Sequence, residues 1–436
     1  MVTDCYAVPP VNGKLDITVD VPGSKSITNR ALLIACQCDT PVTLTNVLFS
    51  DDSRHFLDCL ARLGFSLAID EAQQTVQISG CAGAMPNRQA DLYVGSAGTA
   101  ARFITAMLAS RPGEFLVEAS PQMMKRPMKP LLDALTALGT TFEFLGNPDS
   151  LPYRIHGTKW HGGQVSMQAD KSSQFLSALL MSGPQSTTDL EIVLEGELAA
   201  KPYVDMTMAM MADFGVQVAH QNYRRFVVPG GQRYHAPGAS YAIEPDISNA
   251  CYFWAMATLT GGSTLVKGVR LDSLQGDIRF LRVLEQLGST VEERDGGVAV
   301  QGPADGHFPG VTVDLGDTPD QTVTLAALAP FADSPTIINN VALIKYHETD
   351  RLQAIVNELT RLGIRAEETS DGLIIYPGVP QPAELETYDD HRMAMGLSLI
   401  GLRTPGVRIK NPACTAKTFA NYFAVFAKAV VGATTP

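Results

Sequence analysis

Lysine and arginine residues stand at a small number of turns in this chain, beside serine, threonine and glycine. Lys25 and Arg30 follow Gly23, and Arg102 comes just after a second glycine-rich segment, residues 95–99. Hydrogen bonds from such cations to a charged group contribute about 1.5–3 kcal/mol each. The chemistry that these residues suit is therefore the binding of small anions. Further basic residues at similar points are Lys125, Arg126, Lys129, Arg351, Arg392 and Lys417.

The basic residues belong to a repeated unit. A helix start rich in serine, threonine and aspartate recurs at positions 24, 98, 172, 246, 320 and 390, so that four of the five steps are 74 residues and the last is 70. Such residues cap helix N-termini by accepting from free backbone N–H groups. A second helix ends at glycines 64, 139, 215, 288 and 363, the residue type that stops helices. We predict six units, each with the order strand, helix, strand, helix, strand, strand.

Six such units predict two similar domains of three units each. We expect the N-terminal domain to span residues 21–238, and residues 1–20 plus 239–436 to form the C-terminal domain. A solenoid is the rival architecture, but solenoid repeats are usually about 20–45 residues long. If the buried helices run in parallel, their N-termini meet in a cleft between the domains. Each adds only about 0.3–1 kcal/mol to anion binding, so charged side chains must supply most of the attraction.

Composition narrows the possible partners and surroundings of the protein. The net charge of −12 argues against a nucleic-acid partner, and no apolar run approaches the roughly 20 residues of a membrane helix. The seven cysteines are scattered and odd in number, and no signal peptide is visible, so we expect reduced thiols in a cytoplasmic protein. His347-Glu348 lacks the second histidine of a zinc helix, because Arg351 stands there. We therefore expect neither a metal nor a membrane.

Nine segments, in order along nearly the whole chain, resemble the 5-enolpyruvylshikimate-3-phosphate synthase family of enolpyruvyl transferases. The segments that carry this resemblance are residues 22–26 with Asn29 and Arg30, residues 95–99 with Arg102, Arg126-Pro127, residues 172–175, Lys201-Pro202-Tyr203, Pro319-Asp320, residues 348–351, residues 390–395 and residues 415–418.

The resemblance implies a fold and a reaction. The fold is α/β (α+β), with two similar domains of three βαβαββ units each and parallel buried helices, an inside-out α/β barrel that closes over its substrates. The reaction joins phosphoenolpyruvate to the 5-hydroxyl of shikimate 3-phosphate through a tetrahedral adduct and releases phosphate. It implies no cofactor and no metal. Its partners are the two small-molecule substrates, with no nucleic acid and no membrane, and we expect a cytoplasmic monomer.

The resemblance also assigns roles. Asp320 would be the base at the 5-hydroxyl, Glu348 the proton donor to the methylene carbon, and Lys25 and His347 would complete the catalytic set. From its position alone, Asp320 could instead be a helix cap, as Asp246 is expected to be. The residues implied for shikimate 3-phosphate are Lys25, Ser26, Arg30, Ser172, Ser173, Gln174, Tyr203, Asp320 and His347. Those implied for phosphoenolpyruvate are Lys25, Gly98, Arg126, Gln174, Arg351, Arg392 and Lys417.

Three positions depart from the family pattern. His347 stands where lysine is common, and a charged imidazole there would make the KM for shikimate 3-phosphate rise as pH increases from about 6 to 8.5. Ala200 replaces a serine that often contacts the shikimate phosphate, and Leu343 replaces an asparagine near the same group. Together these changes predict a weaker or differently arranged phosphate pocket.

Three other functions are alternatives to this activity. An enolpyruvyl transferase acting on UDP-N-acetylglucosamine would carry a cysteine on a loop of the first half, but residues 115–130 contain none. An RNA 3′-phosphate cyclase built from similar units conflicts with the acidic balance and lacks an aromatic and basic groove. A non-catalytic scaffold would leave Asp320, Glu348 and the basic set unexplained.

Overall fold

The chain folds into two compact units. The central unit is Gly23–Glu244, and the terminal unit is Met1–Pro22 together with Pro245–Pro436. The structure is a computed structural model that describes residues 4–432. The boundary lies at Glu244 and Pro245, later than the expected boundary near Ala239, because a strand at residues 240–242 pairs with a strand of the central unit.

The elements alternate as the repeat predicts. The strands are β1 (Cys5–Ala7), β2 (Asp16–Val19), β3 (Val42–Thr45), β4 (Ser66–Asp70), β5 (Thr75–Ser79), β6 (Gln89–Tyr93), β7 (Gly113–Glu118), β8 (Thr141–Phe144), β9 (Tyr153–Gly157), β10 (Gly163–Gln168), β11 (Leu190–Glu195), β12 (Ala219–Gln221), β13 (Arg225–Val228), β14 (Ser240–Ala242), β15 (Ser263–Lys267), β16 (Thr290–Arg294), β17 (Gly297–Gln301), β18 (Thr312–Asp314), β19 (Thr336–Asn339), β20 (Ala366–Glu368), β21 (Leu373–Ile375), β22 (Glu384–Leu385) and β23 (Arg408–Lys410). The helices are α1 (Lys25–Ala35), α2 (Asp51–Arg62), α3 (Gly98–Ala109), α4 (Pro121–Met124), α5 (Lys129–Ala137), α6 (Ser173–Ser182), α7 (Pro202–Asp213), α8 (Ile247–Thr260), α9 (Phe280–Gln286), α10 (Thr322–Leu328), α11 (Arg351–Arg361), α12 (His391–Ser398) and α13 (Tyr422–Gly432).

Within residues 4–432 the strands form six open sheets of one design. The central unit holds the sheets β14-β3-β5-β4, β6-β7-β9-β8 and β10-β11-β13-β12, and the terminal unit holds β2-β15-β17-β16, β18-β19-β21-β20 and β22-β23-β1. The first two strands of each order are parallel and the later pairs are antiparallel. Two sheets take their outer parallel strand from a distant part of the chain, because β14 pairs with β3 and β2 pairs with β15. No sheet in this range closes into a barrel. In the expected inside-out α/β barrel, the word barrel therefore describes only the arrangement around the buried helices.

The helices that begin at the repeated markers form the core of each unit. Every residue of α3 is buried, and so is every residue of α10 and α12. These helices are buried on all sides, as expected for helices that other elements enclose, and the few charged residues that they carry lie near their N-termini. In the central unit α3 packs against α1 and α6, and in the terminal unit α10 packs against α8 and α12. No helix in the described part of the chain is long and apolar enough to span a bilayer.

Local capping explains where the helices begin and end. Ser24 and Ser172 accept hydrogen bonds from the backbone N–H groups of their own helices, and Asp246 and Asp390 do the same. The predicted stop glycines 64, 139, 215, 288 and 363 all have left-handed φ angles of 78–97°, a conformation that glycine adopts at little cost. Asp320 differs, because it lies in a 3₁₀ turn before α10 and neither helix start there has a side-chain cap. The alternative of Asp320 as a helix cap is therefore wrong.

Candidate active site

The first turns of the buried helices meet in the central unit. Asn29 of α1 donates to Thr99 of α3 at 2.6 Å, and Arg102 of α3 donates to the side-chain oxygen of Gln174 on α6 at 2.7 Å. All of these residues lie within two turns of a helix start. The three N-termini are thus gathered at one place, which is the arrangement that favours an anion.

Gly98 opens α3 against two guanidinium groups. A methyl group at this position would lie 2.7 Å from Nη1 of Arg126 and 2.8 Å from Nη1 of Arg102. Both distances are shorter than van der Waals contact, so only glycine leaves this space open. The guanidinium of Arg102 also donates to the carbonyl of Pro127 at 3.0 Å, which ties α3 to the loop that carries Arg126. Gly98 therefore adjoins two arginines whose charge suits an anionic ligand.

Arg30 lies deeper than its assigned role suggests. It is 1% exposed, and its guanidinium donates to Thr207, Ser177 and the carbonyls of Ser26 and Tyr203 at 2.7–3.3 Å. These bonds use four of its five N–H donors. Burial lowers the pKa of Arg30 to about 10. Most of its hydrogen bonding therefore holds α1 to α6 and α7, and one donor remains for a ligand.

The other central residues of the predicted site stand near the same helix starts. Lys25 is the first residue of α1, and its ammonium lies 3.7 Å from the buried carboxylate of Asp52. Ser172 caps α6 through a bond from the Gln174 backbone at 3.2 Å, and Ser173 is the first residue of that helix. The carboxylate of Asp52 carries no assigned role, and nothing in its local sequence distinguished it from an ordinary first-turn aspartate.

Arg351 is the centre of a buried ionic cluster in the terminal unit. Its Nη1 donates to Asp320 at 2.8 Å, and its Nη2 donates to Glu348 at 2.9 Å. Asp390 accepts twice, from Nε at 2.8 Å and from Nη2 at 3.1 Å. His347 Nδ1 lies 3.0 Å from Nη1 and completes the set. Arg351 is 1% exposed, and all five of its N–H donors have partners.

Asp320 is held by a second arginine as well. Its other carboxylate oxygen lies 2.8 Å from Nη2 of Arg392, whose Nη1 donates to the buried hydroxyl of Tyr252 at 3.3 Å. Burial acts to raise the pKa of Asp320, but Arg392 and its neighbours outweigh this effect and hold the pKa well below its usual range. In this structure, therefore, Asp320 is an ionised carboxylate and a weak base.

Glu348 and His347 flank the same cluster. The second oxygen of Glu348 lies 3.8 Å from the ammonium of Lys417, so two cations face this carboxylate. Burial is the main cause that lowers the pKa of His347 below its ordinary value near 6.5. Its Nδ1 must accept from Arg351, which places the ring proton on Nε2. The expected charged form of His347 is therefore not the form that this environment favours.

The sequence motif at residues 390–395 contains Asp390 without assigning it a role in the site, and no motif contains Tyr252. Asp390 is completely buried and links two arginines of the predicted site, because it accepts from the side chain of Arg351 and the backbone N–H of Arg392. Its place immediately before a basic helix start was the signal that could have identified it. Tyr252 lies on the second turn of an apolar helix and carried no such signal.

The other two departures from the family pattern, Ala200 and Leu343, lie in different elements. Ala200 has a left-handed φ of 49° just before α7, which is an uncommon conformation for a residue with a Cβ. Leu343 lies in the 3₁₀ turn Ala342–Tyr346 and packs against the apolar core of the terminal unit. Neither side chain can donate a hydrogen bond.

The geometry supports acid–base chemistry on an anionic substrate. Two carboxylates of the terminal unit, Asp320 and Glu348, bind the same guanidinium, and three cations lie within 4 Å of them. In the central unit, two arginines surround an open glycine. Among residues 4–432 no group of three or more histidine, cysteine, aspartate or glutamate side chains is arranged to hold a metal ion.

Comparison with known proteins gives a consistent result. A family model for EPSP synthase (3-phosphoshikimate 1-carboxyvinyltransferase) matches residues 10–426. A protein of that name from Trichormus variabilis is 47% identical over 427 residues, which cover 98% of this chain and 99% of the relative. Its counterpart from Shewanella loihica is 42% identical, covering 95% of this chain and 97% of the relative.

Solved structures share the fold. EPSP synthase from Acinetobacter baumannii superimposes with a TM-score of 0.81 at 24% identity, covering 98% of each chain. The enolpyruvyl transferase NikO from Streptomyces tendae gives a TM-score of 0.78 at 18% identity, covering 97% of each chain.

Proposed function

Because this chain belongs to the EPSP synthase family, we propose that the two clusters described above are its substrate-binding and acid–base groups. The protein is a transferase of the shikimate pathway, and it transfers the enolpyruvyl group of phosphoenolpyruvate to shikimate 3-phosphate. One observation carries the proposal. Asp320 and Glu348, the two groups that could move protons, are bound by Arg351, a cation that could equally bind phosphoenolpyruvate.

The cations of the terminal unit have partners before substrate arrives. A phosphate or carboxylate of phosphoenolpyruvate could gain hydrogen bonds from Arg351 only by displacing one of the groups that it holds now. Asp390 is completely buried, whereas Asp320 is 17% exposed, so the substrate would displace Asp320 and Glu348. When the substrate takes Arg392 and Arg351 from Asp320, the pKa of this carboxyl would rise and make it a stronger base. Binding of the donor substrate would in this way activate the group that starts the reaction.

In the proposed reaction, each proton that a carboxylate takes up or gives is returned in a later step. Asp320 takes the proton of the 5-hydroxyl as its oxygen bonds to C2 of phosphoenolpyruvate. Glu348 takes up a proton from solvent once the substrate has displaced it from Arg351, and it gives that proton to C3. In the tetrahedral adduct that results, Glu348 takes a proton back from C3, the C2–O bond to phosphate breaks, and Asp320 returns its proton to the leaving phosphate. Lys25, Arg392 and Lys417 stabilise the charges that develop on the oxygen atoms.

We propose that the central unit supplies most of the other residues that bind the two substrates. Shikimate 3-phosphate would be held by hydroxyl and basic groups, and phosphoenolpyruvate by the cations around Gly98. For the first substrate the proposed residues are Lys25, Ser26, Arg30, Ser172, Ser173, Gln174 and Tyr203, with Asp320 and His347 from the terminal unit. For the second they are Lys25, Gly98, Arg126 and Gln174, with Arg351, Arg392 and Lys417.

Two substitutions test this division between substrates. Because a hydrogen bond to a charged group contributes about 1.5–3 kcal/mol, Ser173→Ala should raise the KM for shikimate 3-phosphate roughly 10- to 100-fold. Arg126→Lys, which keeps the charge but loses the planar fork of donors, should raise the KM for phosphoenolpyruvate instead. Steady-state phosphate release, with each substrate varied in turn, measures both constants.

The exposed Ser166 and the half-buried Arg154, which pairs with Glu114, provide matched controls, since both lie on strands and not at a helix start. Ser166→Ala and Arg154→Lys should change neither KM. If Ser173→Ala raised only the KM for phosphoenolpyruvate, or Arg126→Lys only that for shikimate 3-phosphate, the division would be wrong.

The KM for shikimate 3-phosphate should be constant from pH 7 to 8.5. The lowered pKa of His347 leaves its ring neutral across this range, so no charge is lost on going alkaline. Below pH 6.5, protonation of Nδ1 would oppose the guanidinium of Arg351, and the KM should begin to change there. This expectation replaces the alkaline rise predicted from sequence, and initial rates at constant ionic strength measure it.

His347→Gln serves as the comparison, since it cannot titrate. An alkaline rise in KM seen in the unmodified protein but absent from His347→Gln would restore the charged role of His347.

We further propose a cytoplasmic monomer that acts on its small-molecule substrates without nucleic acid. The net charge of −12 supports the last point, and all seven cysteines are free thiols, as expected for a reducing compartment. Analytical ultracentrifugation tests the oligomeric state directly.

A further inference from the structure

Glu358 is a completely buried carboxylate away from the ionic cluster. Its Oε1 accepts from the hydroxyl of Tyr388 at 2.7 Å, and its Oε2 accepts from the backbone N–H of Glu386 at 3.0 Å. Arg361 donates to the same Oε2 at 3.1 Å. Burying a carboxylate is costly unless it is hydrogen-bonded and paired, and here both oxygens have partners. Two of those partners belong to the short segment that leads into α12.

That segment contains an unusual turn. Tyr388 and Asp389 both have φ near 55°, so two successive residues with a Cβ adopt the left-handed conformation. Such residues are strained and persist only where surrounding contacts fix them. Asp390 follows at once and caps α12, whose second residue is Arg392. The conformation of the turn therefore determines where Asp390 and Arg392 lie.

One face of α11 meets this segment at two points. Arg351, its first residue, binds Asp390, and Glu358, about two turns later on the same face, binds Tyr388. Asn411 also donates to the side chain of Asp389 at 3.0 Å. The hydroxyl of Tyr388 is the side-chain contact from this segment to the buried carboxylate, and Asn357 of α11 donates to the same hydroxyl at 3.4 Å.

We propose that Glu358 is a positioning residue for the enolpyruvyl transfer, acting through Tyr388 on the turn that presents Asp390 and Arg392. It does not touch the reacting groups. It fixes the distance between α11 and the start of α12, and so the relative placement of Arg351 and Arg392. This inference rests on the proposed function, in which both arginines bind phosphoenolpyruvate.

Tyr388→Phe tests the proposal with little disturbance, because the ring is 36% exposed and only its hydroxyl is lost. We expect the KM for phosphoenolpyruvate to rise about tenfold, as a small misplacement of binding groups can cost more than this. The KM for shikimate 3-phosphate should stay within about twofold, since most of its proposed ligands lie in the other unit. Glu358→Gln should have the larger effect, because its NH2 group replaces one carboxylate oxygen and cannot accept the hydrogen bond that Tyr388 or Glu386 donates there.

Tyr241→Phe is the matched control. It also removes a tyrosine hydroxyl that donates to a carboxylate, that of Asp213 at 3.1 Å, but in the central unit. A merely structural role for Tyr388 would lower kcat through loss of active protein and leave both KM values unchanged, and that result would overturn the proposal. So would an equal rise in both KM values.

Arg392→Lys, measured alongside, reports on the proposed function itself. If it leaves the KM for phosphoenolpyruvate unchanged, the assignment of Arg392 fails. If it raises that KM while Tyr388→Phe does not, the proposed function stands and only the positioning role of Glu358 fails.

Discussion

Asp320→Asn is expected to lower kcat by about 10²–10⁴-fold, the contribution of a general base. Asparagine keeps the shape of the side chain, and its oxygen can still accept from Arg351 or Arg392, so the cluster should remain assembled. It cannot take a proton from the 5-hydroxyl. Because the substrate should bind these arginines in place of residue 320, both KM values should change little. Rapid-quench measurement of a single turnover separates the chemical step from binding and release.

Asp317→Asn is the control for this substitution. Asp317 lies three residues earlier, is exposed, and pairs only with Arg279 among the groups described for it, so its substitution should leave kcat unchanged. Substantial turnover by Asp320→Asn would identify another group as the base. Loss of phosphoenolpyruvate binding with normal turnover of the bound complex would instead make Asp320 a residue that only holds the arginines in place.

Arg351→Met is expected to destabilise the terminal unit by about 3–5 kcal/mol, the usual effect of leaving buried charge without its partner. The substitution leaves Asp320, Glu348 and Asp390 close together with their shared cation gone. Enolpyruvyl transfer should be lost as well, because this guanidinium is proposed to bind the donor substrate. Urea unfolding followed by circular dichroism measures the change in stability.

The loss of stability should depend on pH in a defined direction. In the unmodified protein Arg392, His347 and Arg351 hold the pKa of Asp320 well below its usual range, so the ionised carboxylate contributes stability above its unfolded pKa of about 4 that is lost as pH falls. Arg351→Met removes part of that contribution. The difference from the unmodified protein should therefore be larger at pH 7 than at pH 3.

Arg365→Met gives the contrast with an exposed pair. Arg365 binds Glu367 at the surface, where water and salt screen the attraction between the two charges. Its loss should be small at either pH. A small, pH-independent effect of Arg351→Met would show that the buried cluster does not hold the unit together.

The sequence predicted the features of this fold that depend on contacts between residues close together in the chain. Helix caps such as Ser172 and Asp246, and stop glycines such as Gly215, act on backbone groups only a few residues away, so their spacing reveals the helices directly. The apolar strands between them follow from alternation. The same reasoning placed Lys25, Gly98 and Ser173 at helix starts, where the structure has them.

Long-range pairing explains what the sequence did not predict. The compact units meet at residues 244 and 245 and not at 238 and 239, because β14 pairs with β3, a strand about 200 residues earlier in the chain. The pairing of Arg351 with Asp390 joins two motifs that were identified separately. Whether His347 is charged depends on its burial and on the neighbouring guanidinium, neither of which leaves a mark in the local sequence.

Strands β1, β2 and β14 pair with strands that are distant in the sequence, and this pairing has a consequence for folding during synthesis. Every strand of the three sheets in the central unit has been synthesised once residue 244 leaves the ribosome, and domains generally fold in order of synthesis. The segment that holds β1 and β2 is translated before the central unit, yet its partners β23 and β15 are translated after it. Strands β1 and β2 therefore remain without these partners until the central unit has been synthesised.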